Sequence, residues 1–122
     1  MIDDNVYFGK GKIKGIAMIS KKYWDEGNLS TDENNLHFKG KKGSAILAKS
    51  QVKSVEMVRR RMFKVIRITM QTDEFYHICA ISDFKYEGYT YDDPDEEFSS
   101  IEADVKLKNK GLFKNLNKFL NL

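Results

Sequence analysis

Apolar and polar positions alternate in short stretches over the first two thirds of the chain and then shift to a helical spacing. The clearest stretch is Gly27 to Gly40, where Leu36 and Phe38 alternate with His37 and Lys39 behind the polar run Asp32-Glu33-Asn34-Asn35. One side is apolar and the other wet, and the polar run is turn chemistry, so a hairpin is predicted. Before it, Lys10 to Tyr23 reads as a first strand with Ile13, Ala17 and Ile19 on one side, and Trp24 to Asn28 turns the chain. After it, Gly40-Lys41-Lys42-Gly43 makes a second turn into a short strand, Ser44 to Lys49. Val52 to Arg60, Met62 to Gln71 and Glu74 to Ile81 follow as strands, the last two joined across Thr72-Asp73. In the middle one, Met62, Ile66, Ile68 and Met70 share a face opposite Phe63, Arg67 and Thr69, and β-branched residues favour strand over helix. About seven short strands with tight turns indicate an antiparallel barrel or sandwich.

The pattern then changes. Ser82 to Asp93 has no clean period and reads as an acidic, tyrosine-rich loop containing Tyr86, Tyr89 and Tyr91. Asp93-Pro94-Asp95-Glu96-Glu97 is a helix-start signal, with a capping Asp, Pro in the first turn and acids at the positive end of the dipole. Phe98, Ile101, Val105, Leu112, Leu116 and Phe119 follow at mainly three- and four-residue steps, with lysines gathered at the far end. A C-terminal helix, whole or broken at Gly111, explains these positions. So does an eighth strand over residues 100–108, because Ile101, Ala103, Val105 and Leu107 alternate with charged or polar residues. The resulting division is one domain over 1–122: a tail at 1–9, a β-barrel at 10–81, the loop at 82–93 and a helical segment at 94–122.

Length agrees with a single domain, since 122 residues suffice for one core without metal or disulfide staples. A lone cysteine, Cys79, excludes an intramolecular disulfide and fits a reducing, cytoplasmic setting. No stretch has the apolar length of a spanning helix, which leaves contact with the inner face of a membrane as the peripheral alternative. The net charge of +3 conceals a segregation. Residues 37–67 hold ten Lys or Arg against the single acid Glu56, residues 73–104 hold eleven acids against the single base Lys85, and 105–122 are basic again. Such blocks pair within a fold or mark faces that meet partners of opposite sign.

Seven strands and a C-terminal helix, with Gly27, Leu29, Leu36 and Phe38 forming a GxL-turn-LxF pattern followed by Ile46, Val52 and Val55, resemble the GRAM domain and the wider pleckstrin-homology-like superfamily. The resemblance covers roughly residues 10–110. It implies a seven-stranded antiparallel bent barrel of two near-orthogonal sheets, with one end plugged by the helix. It also implies a non-enzymatic module that binds phosphoinositides, peptides or other proteins. Lipid-binding members carry bases at the end of the first strand and the start of the second. Lys21 and Lys22 match the first half of that signature, whereas Asp25, Glu26, Asn28 and Ser30 stand where the second half belongs.

Catalytic and metal chemistry find little to stand on. His77 and Cys79 are two residues apart on one strand face, the spacing of a base beside a nucleophile, but no third group orients them and a buried small hydrophobe explains Cys79 as well. The acids Asp92, Asp93, Asp95, Glu96 and Glu97 lack the order of a calcium loop and already suit a helix N-terminus. No phosphate-cradling glycine motif is present. No catalytic residue, cofactor or metal is therefore expected. The candidate surface for an anionic ligand or partner is Lys21, Lys22, Arg59, Arg60, Arg61, Lys64 and Arg67. The candidate helix interface is Leu112, Phe113, Leu116, Phe119 and Leu120, which is core if the helix plugs the barrel. The expected activity is protein binding or self-association through a strand edge or the helix. Anionic lipid is the alternative, and nucleic-acid phosphate is the third reading, not expected at so small a net charge.

Overall fold

A computed structural model describes residues 2–11, 24–60, 63–81 and 94–121. Seven strands, β1 (Asp3–Lys10), β2 (Asp25–Thr31), β3 (Asn35–Gly40), β4 (Ser44–Ala48), β5 (Val52–Arg60), β6 (Phe63–Met70) and β7 (Phe75–Ala80), precede one long helix, α1 (Pro94–Leu120). All strand pairs are antiparallel, in the order β4-β3-β2-β1-β7-β6-β5. Seven antiparallel strands followed by one helix make a curled half-barrel, the fold class expected from the sequence. The strands form one continuous curled sheet in which β1 belongs to both halves, where the resemblance implied two sheets. The inner faces of both halves meet in a single core cluster with the helix.

The first strand lies earlier than the sequence pattern placed it. β1 occupies Asp3–Lys10, in the stretch read as a tail, and residues 12–23 lie outside the described residues. Its first three residues are polar and exposed, so alternation begins only at Val6, too late for a pattern to register. The hairpin holds: Gly27 is level with Gly40, Leu29 with Phe38 and Thr31 with Leu36, and Leu29, Leu36 and Phe38 are all buried. Its tight turn is closed by Asp32, whose Oδ1 accepts the N–H groups of Asn34 and Asn35 at 2.8 Å and whose Oδ2 lies 2.6 Å from His37 Nε2. These bonds, that from His37 foremost, hold the Asp32 carboxyl at about 2, below its ordinary 3.8. The Gly40–Gly43 turn is closed by Asp25, which accepts N–H bonds from Lys41, Lys42 and Gly43.

Inside the sheet Phe8 stacks on Phe38 at 4.3 Å between centroids and on Tyr76 at 5.3 Å. Ile66, Ile68 and Ile78 are fully buried beneath them. The helix runs unbroken from Pro94 to Leu120, so residues 100–108 are helix and not an eighth strand. Its Leu112, Leu116 and Leu120 are buried in the barrel, each contributing roughly 2 kcal/mol, and Phe113 and Phe119 pack half-buried against the same cluster. One polar residue joins this stripe. Asn109 is fully buried where β6 and β7 part company: its Oδ1 accepts the Ala80 N–H at 2.7 Å and its Nδ2 donates to the Lys64 carbonyl at 3.0 Å. Continuing the Ile66↔Ile78 register would set those two residues opposite each other, so the amide bridges a gap in the ladder.

Two glycines respond in opposite directions to the same substitution. A Cβ at Gly27 runs into the Lys39 carbonyl and Gly40 Cα, backbone that cannot step aside, whereas one at Gly111 meets nothing within 4 Å. Gly27→Ala is therefore expected to cost roughly 1–3 kcal/mol, and Gly111→Ala, in an exposed helix interior, to add about 1 kcal/mol. Urea unfolding of the two variants measures both signs.

Candidate functional site

Of the basic residues singled out from the sequence, Arg59, Lys64 and Arg67 have described side chains, and these lie on two faces of the sheet. Lys21, Lys22 and Arg61 lie outside the described residues, and Arg60 is placed as the last residue of β5. Arg59 and Lys64 are cross-strand partners near the β5–β6 turn, both exposed. Arg67 points to the opposite face, because alternation carries it outward in a row with Glu56, His77 and Gly9. There its guanidinium lies 3.6 Å from Glu56, donates through Nε to His77 Nε2 at 3.3 Å and covers the Phe75 ring at 5.3 Å. Arg67 is thus a tether of the outer sheet face. The helix residues Leu112, Phe113, Leu116, Phe119 and Leu120 pack into the chain's own core, which leaves that face occupied.

Asp25, Glu26 and Asn28, which stand where the resemblance would place bases, have structural employment. Asp25 closes the β3–β4 turn, Glu26 pairs with Lys41 at 2.8 Å, and Asn28 donates to Asp3 at 2.7 Å. Beside them Phe8, Phe38 and Tyr76 floor a cleft of about 420 Å³ at whose rim stand Lys10 and Lys42. Lys10 is 3.3 Å from Glu74, and Lys42 Nζ donates to the Trp24 carbonyl at 3.3 Å, so both cations already have partners.

The histidine and cysteine on β7 are both buried. The His77 ring is committed on both nitrogens, with Nδ1 3.1 Å from the Gly11 carbonyl and Nε2 accepting from Arg67. Burial pushes the Cys79 thiol up to about 11, against a smaller opposing effect of the Asn109 amide 3.6 Å away. A thiol raised in this way carries little thiolate, the nucleophilic form, at neutral pH. Among the described residues no cluster of His, Cys, Asp and Glu is placed to hold a metal. No described helix is long and apolar enough to cross a membrane.

Two surface features stand out among the described residues. The first is the edge of β4, which among the described strands pairs with β3 alone. Gly40 N–H donates to Gly43 O and Lys49 N–H to Asn34 O, both at 2.8 Å, and these bonds fix the phase between them. Phe38↔Ala45 and Leu36↔Leu47 are then the hydrogen-bonded pairs. The main-chain groups of Ser44 and Ile46, and the Ala48 N–H, aim instead at the open side. Leu47 is buried in the core, whereas Ile46, matched in the sequence to an aliphatic strand position, is 66% exposed on the outer face.

The second feature is a row on α1. Lys106, Lys110, Lys114 and Lys118 recur every fourth residue, all exposed and none ion-paired with a described residue, beside Leu107 at 72% exposure. Like charges at this spacing destabilise a helix slightly and meet no acid after Asp104. Two of these lysines are visible in the sequence as the wet side of the terminal segment. The continuous row emerges only once residues 100–108 are known to be helical.

Neither family models nor curated protein sequences match this chain. Among solved structures it is similar to the pleckstrin homology domain of USP37, at 13% identity over 93% of this chain and 96% of that one, with a TM-score of 0.39.

The thiol supplies a direct check on catalytic chemistry. Native protein at pH 8 is expected to react with a thiol reagent at least tenfold more slowly than the urea-unfolded chain, followed by absorbance. Equal rates would restore Cys79 as a candidate nucleophile.

Proposed function

We propose that the chain is a non-enzymatic binding module that engages protein by strand addition at β4. The observation that carries this reading is Ile46, 66% exposed at the centre of an edge strand whose outward main-chain groups are free of β3. Edge strands in natural proteins are commonly blunted by charge, proline or a bulge. β4 is Ser-Ala-Ile-Leu-Ala, with an uninterrupted register against β3 and no charged residue. An added strand gains affinity from the main chain and selectivity from its alternate side chains.

Ile46→Pro tests the reading cleanly. The Ile46 N–H faces away from β3, so proline there removes no bond of the sheet, yet it blocks an incoming strand. Peptides selected from a displayed random library on the wild-type protein are expected to bind Ile46→Pro at least tenfold more weakly, at an unchanged melting temperature. Peptides indifferent to the substitution would sink strand addition.

The lysine row supports a second reading, contact with anionic lipid. Each lysine held near a negatively charged bilayer contributes about 1 kcal/mol, screened by salt. Co-sedimentation with phosphatidylserine vesicles is expected at low salt, with release at high salt and loss in a Lys110→Glu, Lys114→Glu variant. Failure to sediment at low salt ends this reading.

A further inference from the structure

We propose that the partner at the β4 edge is a second copy of this chain, paired antiparallel about a two-fold axis through Ile46 so that two seven-stranded sheets become one. The inference rests on reading β4 as the contact edge and adds who occupies it. An isologous strand pair needs a self-complementary strand with the right hydrogen-bond phase at its centre. β4 has both. Ile46 is the middle of the five residues, and its N–H and C=O point to the open side, so the two Ile46 residues exchange both bonds across the axis. Each Ala48 N–H then reaches the Ser44 carbonyl opposite.

The side chains agree with the register. The exposed Ile46 side chains of the two copies lie next to each other on the outer face, with Cα atoms about 5.5 Å apart, and each covers the other's apolar surface. On either side small Ser44 faces small Ala48, without a clash or a charge. The lysines at the strand ends do not oppose one another directly. In this register Lys42 stands level with Ser50 and Lys49 with Gly43. Lys41 is already paired with Glu26 at 2.8 Å within each copy. Their residual repulsion makes salt a diagnostic: self-pairing tightens as salt rises, whereas binding of an acidic strand loosens.

Cysteine trapping reads the register residue by residue, with the buried Cys79 as an inert background. Ile46→Cys is expected to give a disulfide dimer under mild oxidation, since the paired Cα atoms fall within the roughly 4.4–6.8 Å that a disulfide spans. Ser44→Cys and Ala48→Cys, each silent alone, are expected to cross-link when mixed, and Lys53→Cys on β5 to stay monomeric. In sedimentation, wild type is expected to dimerise with concentration and more tightly at high salt, and Ile46→Pro to weaken the dimer by at least tenfold, with the two melting temperatures equal at concentrations where both are monomeric. A wild type monomeric at every concentration, a dimer unaffected by Ile46→Pro, or Ser44→Cys cross-linking alone overturns the proposal. A monomer whose selected peptides still depend on Ile46 overturns self-pairing while leaving strand addition standing.

Discussion

Phe8 is the contact on which the two halves of this sheet depend. Its ring lies between Phe38 of β3, at 4.3 Å and 11° from parallel, and Tyr76 of β7, at 5.3 Å. Those two strands are on opposite sides of β1. The sheet curls because both halves must bring their apolar sides to the same aromatic centre, and the trough they form is what α1 fills. A stacked pair contributes about 1 kcal/mol beyond its burial. The larger effect is geometric, since an eight-residue strand with one buried face fixes the register of both neighbours.

The helix completes the core, and the polar exception within its apolar stripe ensures that it does so in one position. Leucines alone tolerate a slide along the trough at modest cost, because apolar contact has no direction. Asn109 does not slide. Shifting it leaves the buried Ala80 N–H without a partner, at roughly 1–3 kcal/mol, and gives up the bond to the Lys64 carbonyl as well. The Cys79 thiol lies beside the amide that pins the helix, 3.6 Å from Asn109 Nδ2, and it is burial that raises its pKa. His77 and Cys79 are thus held within the scaffold, and among the described residues the β4 edge and the lysine row of α1 face outward.

Much of this was readable from residue order where local chemistry decides the structure. The Asp32 turn, the Leu29-Leu36-Phe38 alternation, the strands β5 to β7 and the start of the helix at Pro94 all follow from short-range signals. β1 did not read as a strand, since Asp3, Asp4 and Asn5 precede its alternation and its partners lie far along the chain. The competing strand over 100–108 lost to the helix because Val105, Asn109, Leu112 and Leu116 face the core together, and Asn109 is silent in an apolar count. The exposure of Ile46 was hidden for a related reason, as alternation identifies two faces without saying which one faces solvent. Of the candidate basic surface, the described Arg59 and Arg67 fall on opposite faces of the sheet, a separation that follows from strand alternation once the β5–β6 register is known.

The central placement of β1 also sets an order of events. Its pairing with β2 joins residues such as Tyr7 and Glu26, whereas its pairing with β7 joins Val6 to Ala80. Closing the longer loop costs more entropy, and topologies of this kind fold slowly, commonly in milliseconds to seconds. Until β7 arrives, the β1–β4 meander is a sheet with two open sides, β1 on one and β4 on the other. A transient sheet of that kind is the species most exposed to misassembly. Asp3 and Asp4, which precede the Val6–Lys10 stretch that β7 pairs with, stay exposed in the finished fold and put negative charge beside that stretch.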